Sequence, residues 1–456
     1  MINKGNLFTN HAVTILDLLR ENRRILIGSV SSTIARITTI LCGLLSTGLA
    51  AKRLTIEEFG FWAILQTFMG LFSVFDFGFR SSLSNRLAAT VSLGSHKTDN
   101  MAKVFFCSIF NFQLLIAIVG VVLVFQLNTK IPWPSILRVH EPTMVHYAGI
   151  TMCNAIALVL LANPFTLVTP LLYAYQKVHI DAILGSIQSI VLLLLLFFLL
   201  LFGFSFPKLV FIYFLGYLLT WLARVIYVFR HLGWSPVWVP IEIQLKNVKS
   251  ITRKSCEFFF LNLSAVIVSN TGTFFSGISS GLATAGLYNV IQRLFNLLIV
   301  LHFAVATAFN PVLTRLAWSG EWEEAEKKLR FSFRIIYPSI FLFGVTGIWI
   351  LHPLIVEIWT GLTVRDYFLV GLFGITTCMY GWANTNSLFL NCLGIVKAQA
   401  LFSFASVPAY LLLAYWLGGV FGTYGIIIAN LVPVATGALY FHHYTKKKIK
   451  EKAVFV

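Results

Sequence analysis

Three arginines stand alone inside long apolar stretches of the sequence: Arg36, Arg224 and Arg293. A charge at the centre of a bilayer costs roughly 2.5–3.5 kcal/mol on insertion scales, so an arginine kept there needs a partner or a task. A guanidinium group presents a planar fork of donors that fits the oxygens of phosphate and carboxylate groups. These residues therefore indicate anion-binding chemistry in an apolar setting.

Two of these arginines belong to polar stripes at helical spacing. Around Arg36 the stripe holds Ser29, Ser32, Thr33 and Thr39, and around Arg293 it holds Asn289, Gln292 and Asn296. Residues three, four and seven apart share one face of a helix. Two such helices facing each other would line a wet cavity with positive charge. The structural alternative is that either arginine pairs with a buried carboxylate such as Asp76.

The remaining charged candidates have weaker patterns. Arg224 is six residues before Arg230 and could extend to the membrane surface. Arg80 follows Asp76 by four residues, so an ion pair that shapes the helix end is as reasonable as a substrate contact. Arg53 either helps to release an anion or borders the membrane. The candidate substrate-binding residues are thus Arg36, Arg293, Asn289, Asn296, Arg53, Arg80, Asp76 and Arg224.

The composition determines which elements must position these side chains. Of 456 residues, 58% are hydrophobic and 11% are charged, whereas soluble domains have about a quarter of their residues charged. Apolar runs of about 20 residues recur along the chain, and in lipid such runs must form helices to satisfy the backbone. We expect an all-α integral membrane protein with about twelve transmembrane helices. We label the predicted spans TM1 to TM12: 25–51, 59–80, 102–126, 145–170, 181–203, 208–229, 256–278, 285–310, 332–352, 367–391, 398–419 and 422–443.

The distribution of Lys and Arg predicts the orientation. With both termini in the cytoplasm, 25 of the 34 basic residues fall in cytoplasmic segments, six in outer loops and three within spans. This bias follows the positive-inside rule and disfavours a nucleic-acid partner as the reason for the net charge of +17. No outer loop has room for a separate domain. We expect a multi-pass membrane protein with both termini in the cytoplasm.

A weak internal repeat predicts two lobes of six helices. The residues 59–66 at the start of TM2 match 285–292 at the start of TM8, and Arg86-Leu87-Ala88 matches Arg315-Leu316-Ala317. Copies six helices apart keep the same orientation, so a pseudo-two-fold axis along the membrane normal should relate them. The predicted division is an N-terminal lobe 1–229, a cytoplasmic linker 230–255, and a C-terminal lobe 256–456 with a basic tail.

With these segments placed, the chain resembles the polysaccharide transporter family, and within it the O-antigen flippases. The resemblance rests on residues 54–63 (LTIEEFGFWA), 75–80 (FDFGFR) and 85–88 (NRLA), and on the second copy from Gly286 to Ala317. It implies two six-helix lobes around a central cavity and alternating access by rocking. The larger superfamily includes drug exporters and the peptidoglycan-precursor flippase.

The predicted function is a flippase, not an enzyme, that moves undecaprenyl-diphosphate-linked O-antigen or related repeat units to the periplasmic leaflet. The expected partners are the lipid-linked oligosaccharide, membrane lipids and other polysaccharide assembly proteins. The six cysteines include no CxxC pair and the histidines are scattered, so we expect neither a metal nor a cofactor. The alternatives are a cation-coupled drug exporter, which would need buried acids, and a membrane polymerase or ligase, which would usually need a large outer loop.

Overall fold

A computed structural model describes residues 23–91, 96–175, 177–235, 237–319, 321–392 and 397–453, which form helices of α, 3-10 and π type. In the first half, TM1 is Arg23–Arg53, TM2 is Ile56–Phe72 with Ser73–Asp76, and TM3 is His96–Asn128. TM4 is Pro142–Ala162 with Asn163–Leu167 and Val168–Ala174, TM5 is Val178–Leu201, and TM6 is Phe206–Leu232. In the second half, TM7 is Ile241–Ser280, TM8 is Leu282–Ser319, and TM9 is Trp322–Phe331 with Ser332–Ile336, Pro338–Leu342 and Phe343–Thr360. TM10 is Tyr367–Cys392, and TM11 and TM12 are both contained in Lys397–Ala453. Two shorter helices, Phe79–Val91 and Trp133–Ile136, follow TM2 and TM3.

Each predicted span corresponds to one of these helices, although predicted TM2 includes the non-helical residues 77 and 78 and predicted TM5 runs two residues past Leu201. The all-helical membrane architecture is confirmed. By length and composition alone, eight helical segments of the described residues are long and apolar enough to cross a bilayer. The last of them, Gln399–Ile449, contains both TM11 and TM12, which are separated by a non-helical Gly422. The other three spans, TM1, TM7 and TM10, lie in helices that carry more polar side chains.

TM7 begins earlier than the sequence predicts. Its helix starts at Ile241, directly after Pro240, so residues 241–255 of the predicted linker are part of one continuous 40-residue helix. Val248 and Ile251 on this extension are buried in a hydrophobic cluster whose other members belong to the N-terminal lobe, apart from Trp234 and Val239 of the predicted linker. The Asn247 side-chain amide also donates to the Ser108 hydroxyl at 2.9 Å. Burial against TM3 therefore keeps this polar segment helical beyond the bilayer.

TM2 is interrupted near its predicted cytoplasmic end. Phe77 and Gly78 both have positive φ angles, 49° and 73°, and the chain resumes as a helix at Phe79. A Cβ at position 78 would lie 2.1 Å from the Ser255 carbonyl oxygen of TM7. Only glycine fits both the backbone conformation and this close approach.

The repeat copies meet at equivalent glycines. Gly60 in TM2 and Gly286 in TM8 occupy matching positions of the repeat, and a Cβ at position 286 would lie 3.4 Å from the Gly60 Cα. A Cβ at position 60 would lie only 1.8 Å from the Leu282 carbonyl oxygen. Equivalent positions that touch each other lie near the axis that relates them. The contact thus places the pseudo-two-fold axis between TM2 and TM8.

The outer surface of TM5 shows how the bundle meets lipid. Ile183, Ile187, Val191, Leu194 and Phe198 are all exposed and recur at three- and four-residue intervals along the helix. Exposed apolar stripes of this length are typical of a surface covered by lipid tails. The polar groups described below face the interior instead.

Candidate functional site

A cavity of about 280 Å³ lies between the two lobes, lined by TM1, TM2, TM7 and TM8. Its polar lining comes mainly from amides and one guanidinium. These residues are Thr39, Gln66, Thr67, Asn270, Asn289, Gln292, Arg293 and Asn296. None of the described residues that line it carries a carboxyl group. The described part of the cavity is therefore positively charged.

Arg293 is held in place by two hydrogen bonds from opposite lobes. Its Nε donates to Asn289 Oδ1 at 3.0 Å, and its Nη1 donates to the Gly43 carbonyl oxygen of TM1 at 3.2 Å. Neither partner is anionic, and among the described residues no carboxylate forms an ion pair with Arg293. The charge is thus positioned but not neutralised by the described residues, and Nη2 has no described acceptor.

Neighbouring polar groups fix the same helix face. The Thr273 hydroxyl lies 3.3 Å from Gln292 Oε1, and Gln292 Nε2 donates to the Ser269 carbonyl oxygen at 2.9 Å. These bonds tie TM8 to TM7. Across the cavity, the Gln66 side chain lies close to the Tyr213 hydroxyl, and its buried Nε2 has no partner among the described residues that meets the geometry of a hydrogen bond. An unpaired buried donor of this kind marks a place where a ligand oxygen would be favourable.

The repeat explains why Gln66 is there. Gln66 and Thr67 of TM2 match Gln292 and Arg293 of TM8 at the offset of the repeat, and all four line the cavity. The two copies thus contribute equivalent positions to one site. They differ in charge, since the N-terminal copy has a threonine where the C-terminal copy has an arginine. Sequence reasoning did not select Gln66 and Thr67, although the repeat contained the signal.

Asp76 and Arg80 form the i,i+4 pair that their spacing predicts. Arg80 Nε lies 3.7 Å from Asp76 Oδ2, and Asp76 Oδ1 accepts the Gly78 amide at 2.9 Å. Gln113 Nε2 of TM3 donates to the Asp76 carbonyl oxygen at 2.8 Å. Asp76 is 4% exposed and stabilises the interruption of TM2. It is therefore not the partner of Arg293 that the structural alternative proposed.

Arg224 is buried in an ion pair within the N-terminal lobe. Its Nη2 lies 2.6 Å from Asp181 Oδ1 of TM5, its Nη1 donates to Gln188 Oε1 at 3.0 Å, and its guanidinium carbon is 4.2 Å from the Trp221 ring centre. With 7% of its surface exposed, Arg224 does not extend to the membrane surface. It is not among the residues that line the cavity. Its assignment to the substrate site stays a prediction without geometric support. Sequence reasoning missed Asp181 as its partner.

The other candidates lie as follows. Asn289 is buried and Asn296 is exposed at the cavity. Arg53 is exposed at the last residue of the TM1 helix. Position 36 belongs to the same helix, but the Arg36 side chain lies outside the described residues. The structure thus brings Arg293, Asn289 and Asn296 together in one site and leaves Arg53, Arg80 and Arg224 outside its described lining.

Comparison with known proteins identifies the family. A family model described as "Polysaccharide biosynthesis protein" matches residues 25–317, which is well over half of the chain. No curated protein matches the chain in sequence.

Solved structures share the fold at low sequence identity. A multidrug resistance MATE family transporter of the MOP superfamily, in an inward-facing conformation, has a TM-score of 0.69 at 13% identity, covering 93% of this chain and 99% of its own. The lipid II flippase MurJ, in an inward closed conformation, has a TM-score of 0.67 at 16% identity, covering 93% and 90%. A MOP superfamily transporter from Pyrococcus furiosus has a TM-score of 0.58 at 13% identity, covering 95% and 96%.

These matches span both predicted lobes and agree with the expectation of a multi-pass transporter of about twelve helices. The resemblance noted from the residues of TM2 and TM8 is confirmed. The chain belongs to the polysaccharide biosynthesis protein family and has the fold of the MOP superfamily transporters.

Proposed function

We propose that the protein is a flippase of the bacterial inner membrane that moves undecaprenyl-diphosphate-linked O-antigen or related repeat units to the periplasmic leaflet. The observation that carries this proposal is the position of Arg293, a guanidinium without a described carboxylate partner in the cavity between the lobes. A diphosphate offers the oxygens that such a donor fork fits. The family, and the lipid substrate named for one structural relative, support a lipid-linked cargo.

The unpaired donors add to this support. Arg293, whose described hydrogen bonds use only Nε and Nη1, and Gln66, whose Nε2 is buried and unsatisfied, come from different lobes and both line the cavity. A phosphate oxygen between them would bridge the two lobes, which is the contact that an alternating-access cycle has to make and break. By helix periodicity, position 36 is on the face of Ile40 and Gly43, which also line the cavity. We therefore assign Arg36 to the same site.

Electrostatics favour the proposed direction of transport. An anion leaving a cytoplasm that is negative inside gains about 2.3 kcal/mol per charge for each 100 mV. The cavity charge opposes the main alternative, a cation-coupled drug exporter, because a cation would be repelled by Arg293 and would find no described carboxylate there. Both termini are proposed to be cytoplasmic, as the distribution of basic residues favours.

The test is transport in proteoliposomes with a fluorescent diphosphate-linked saccharide lipid whose arrival in the opposite leaflet is measured by quenching. Arg293→Ala removes at least one charge-assisted hydrogen bond to the diphosphate, worth about 1.5–3 kcal/mol, so we expect transport to fall by at least about 10- to 150-fold. Arg293→Lys keeps the charge without the fork and should retain part of the activity. Arg365→Ala, at an exposed loop position, is the matched control and should behave as wild type.

Two outcomes would overturn the proposal. One is full transport by Arg293→Ala together with full transport by Arg36→Ala. The other is increased uptake of a cationic dye by Arg293→Ala, which would favour a drug exporter. A deletion strain separates flippase from polymerase, because loss of a polymerase leaves single repeats displayed outside the cell whereas loss of a flippase displays none.

A further inference from the structure

Two further cavities extend the inter-lobe cavity into the C-terminal lobe. The first, of about 160 Å³, shares Gln292 and Asn296 with the inter-lobe cavity. The second, of about 230 Å³ between TM7, TM10, TM11 and TM12, shares Ser269 and Tyr380 with the first. Shared lining residues place the three cavities next to one another in a row that begins at Arg293. We call the latter two the C-lobe cavities.

The lining of the C-lobe cavities is uncharged and rich in hydrogen-bonding groups. Besides the shared residues it includes Thr376, Thr377 and Asn430 in the first cavity and Asn384, Ser387 and Ser403 in the second. Aromatic side chains complete it, among them Phe373 and Phe402. Neutral donors and acceptors mixed with aromatic faces suit a ligand that has many hydroxyl groups and apolar C–H faces. That is the chemistry of a sugar.

Asn384 supplies an independent sign of an absent ligand. Its Nδ2 is buried, and no hydrogen-bond partner lies within reach among the described residues. Asn384 belongs to the lining of the second C-lobe cavity, where a ligand hydroxyl would satisfy this donor. A buried amide left without a partner is costly, so a site that supplies one only when occupied favours binding.

The N-terminal lobe has similar aromatic packing at the equivalent place, where Trp62 matches Tyr288 at the offset of the repeat. Trp62 of TM2 packs edge-on against Tyr213 of TM6, with ring centres 4.7 Å apart, and lies 6.4 Å from Phe214. All three side chains are at most 6% exposed and belong to the same hydrophobic cluster. In the C-terminal lobe Tyr288, 1% exposed, packs edge-on against Phe373 with ring centres 4.9 Å apart. Aromatic rings thus pack beside the inter-lobe cavity in both lobes.

We propose that the C-lobe cavities are a subsite for the neutral sugars of the cargo, while Arg293 binds the diphosphate. This inference rests on the proposed function, since it assigns the second part of the same ligand. The charged group and the sugar then occupy neighbouring but chemically distinct places. Residues such as Asn384 determine which saccharide is accepted, whereas Arg293 acts on every diphosphate-linked cargo.

The test compares two cargoes in proteoliposomes: a lipid diphosphate carrying the full oligosaccharide and one carrying a single sugar. Asn384→Leu, which keeps the number and branching of the side-chain heavy atoms and removes the donor, should lower transport of the full cargo about fivefold and leave the single-sugar cargo within twofold. Ser403→Val, a change to the same cavity from TM11, should show the same dependence on the cargo. Asn100→Leu, an exposed position at the start of TM3, should match wild type for both.

The outcomes separate this inference from the proposed function. If wild type moves neither cargo, the flippase assignment itself fails. If wild type moves both and the two cavity variants lose both equally, the C-lobe cavities are structural and the sugar subsite is wrong. A third result would also overturn it: losses that are equal for both cargoes and are reversed by raising sodium, which would make the cavities a cation site.

Discussion

The contact between TM2 and TM8 at Gly60 leads to a prediction about the conformational balance. Replacing Gly60 with alanine would put a Cβ 1.8 Å from the Leu282 carbonyl oxygen, whereas a carbon and a carbonyl oxygen approach to about 3.4 Å. The two helices therefore have to separate by about 1.6 Å at this point. Overpacking of this kind costs typically about 1–3 kcal/mol.

That cost falls only on conformations in which the two lobes touch at the end of the bundle where TM2 and TM8 begin. Gly60→Ala should therefore reduce their population relative to conformations open at the same end by about 5- to 150-fold, the ratio equivalent to 1–3 kcal/mol. The change can be measured by double electron–electron resonance between spin labels at Lys130 and Thr363, which are exposed in loops of different lobes. The distance distribution should shift to longer values.

Gly185→Ala in TM5 is the matched control, because a Cβ there meets nothing within 4 Å. It makes the same chemical change in a membrane helix and should leave the distribution as in wild type. If Gly60→Ala also leaves it unchanged in correctly folded protein, the close approach does not set the balance between the conformations, and the reasoning is refuted.

Two further predictions concern stability in detergent, measured by thermal unfolding with intrinsic fluorescence. Asp181→Asn leaves Arg224 buried without its anion and should destabilise the protein by about 3–5 kcal/mol. The control Glu326→Gln breaks an exposed ion pair and should cost at most about 1 kcal/mol. Equal losses of stability in the two variants would contradict the burial argument. Trp359→Phe removes the indole bond to the Leu44 carbonyl oxygen, 2.9 Å long, and should cost about 1 kcal/mol; an unchanged melting temperature would show that water replaces this bond.

The helices could be predicted because the bilayer selects for their length and apolar composition. TM5 was predicted at 181–203 and is observed at Val178–Leu201, and TM6 at 208–229 is observed at Phe206–Leu232. The extension of TM7 from Ile241 was not predicted. Its stability comes from burial of Val248 and Ile251 against the other lobe, and hydropathy averaged over a window does not detect such a tertiary contact.

The candidate site was predicted on one helix and missed on another. The stripe of Asn289, Arg293 and Asn296 follows from helical spacing alone, and the structure places all three at the cavity. Gln66 could have been found by comparing the two copies of the repeat position by position, since it matches Gln292. Asp181 and Arg224 are 43 positions apart, so a search along one helix could not pair them.

TM7 spans more than its own lobe. Forty residues at 1.5 Å each make a rod about 60 Å long, twice the roughly 30 Å of the hydrocarbon core. Its first turns are anchored beside Ser108 of the N-terminal half, and its last turns beside Tyr410 and Thr423 of the C-terminal half. When the halves tilt against each other, this rod carries the strain: either it bends in the middle or one anchor releases. TM7 therefore acts as a lever that couples the two halves mechanically.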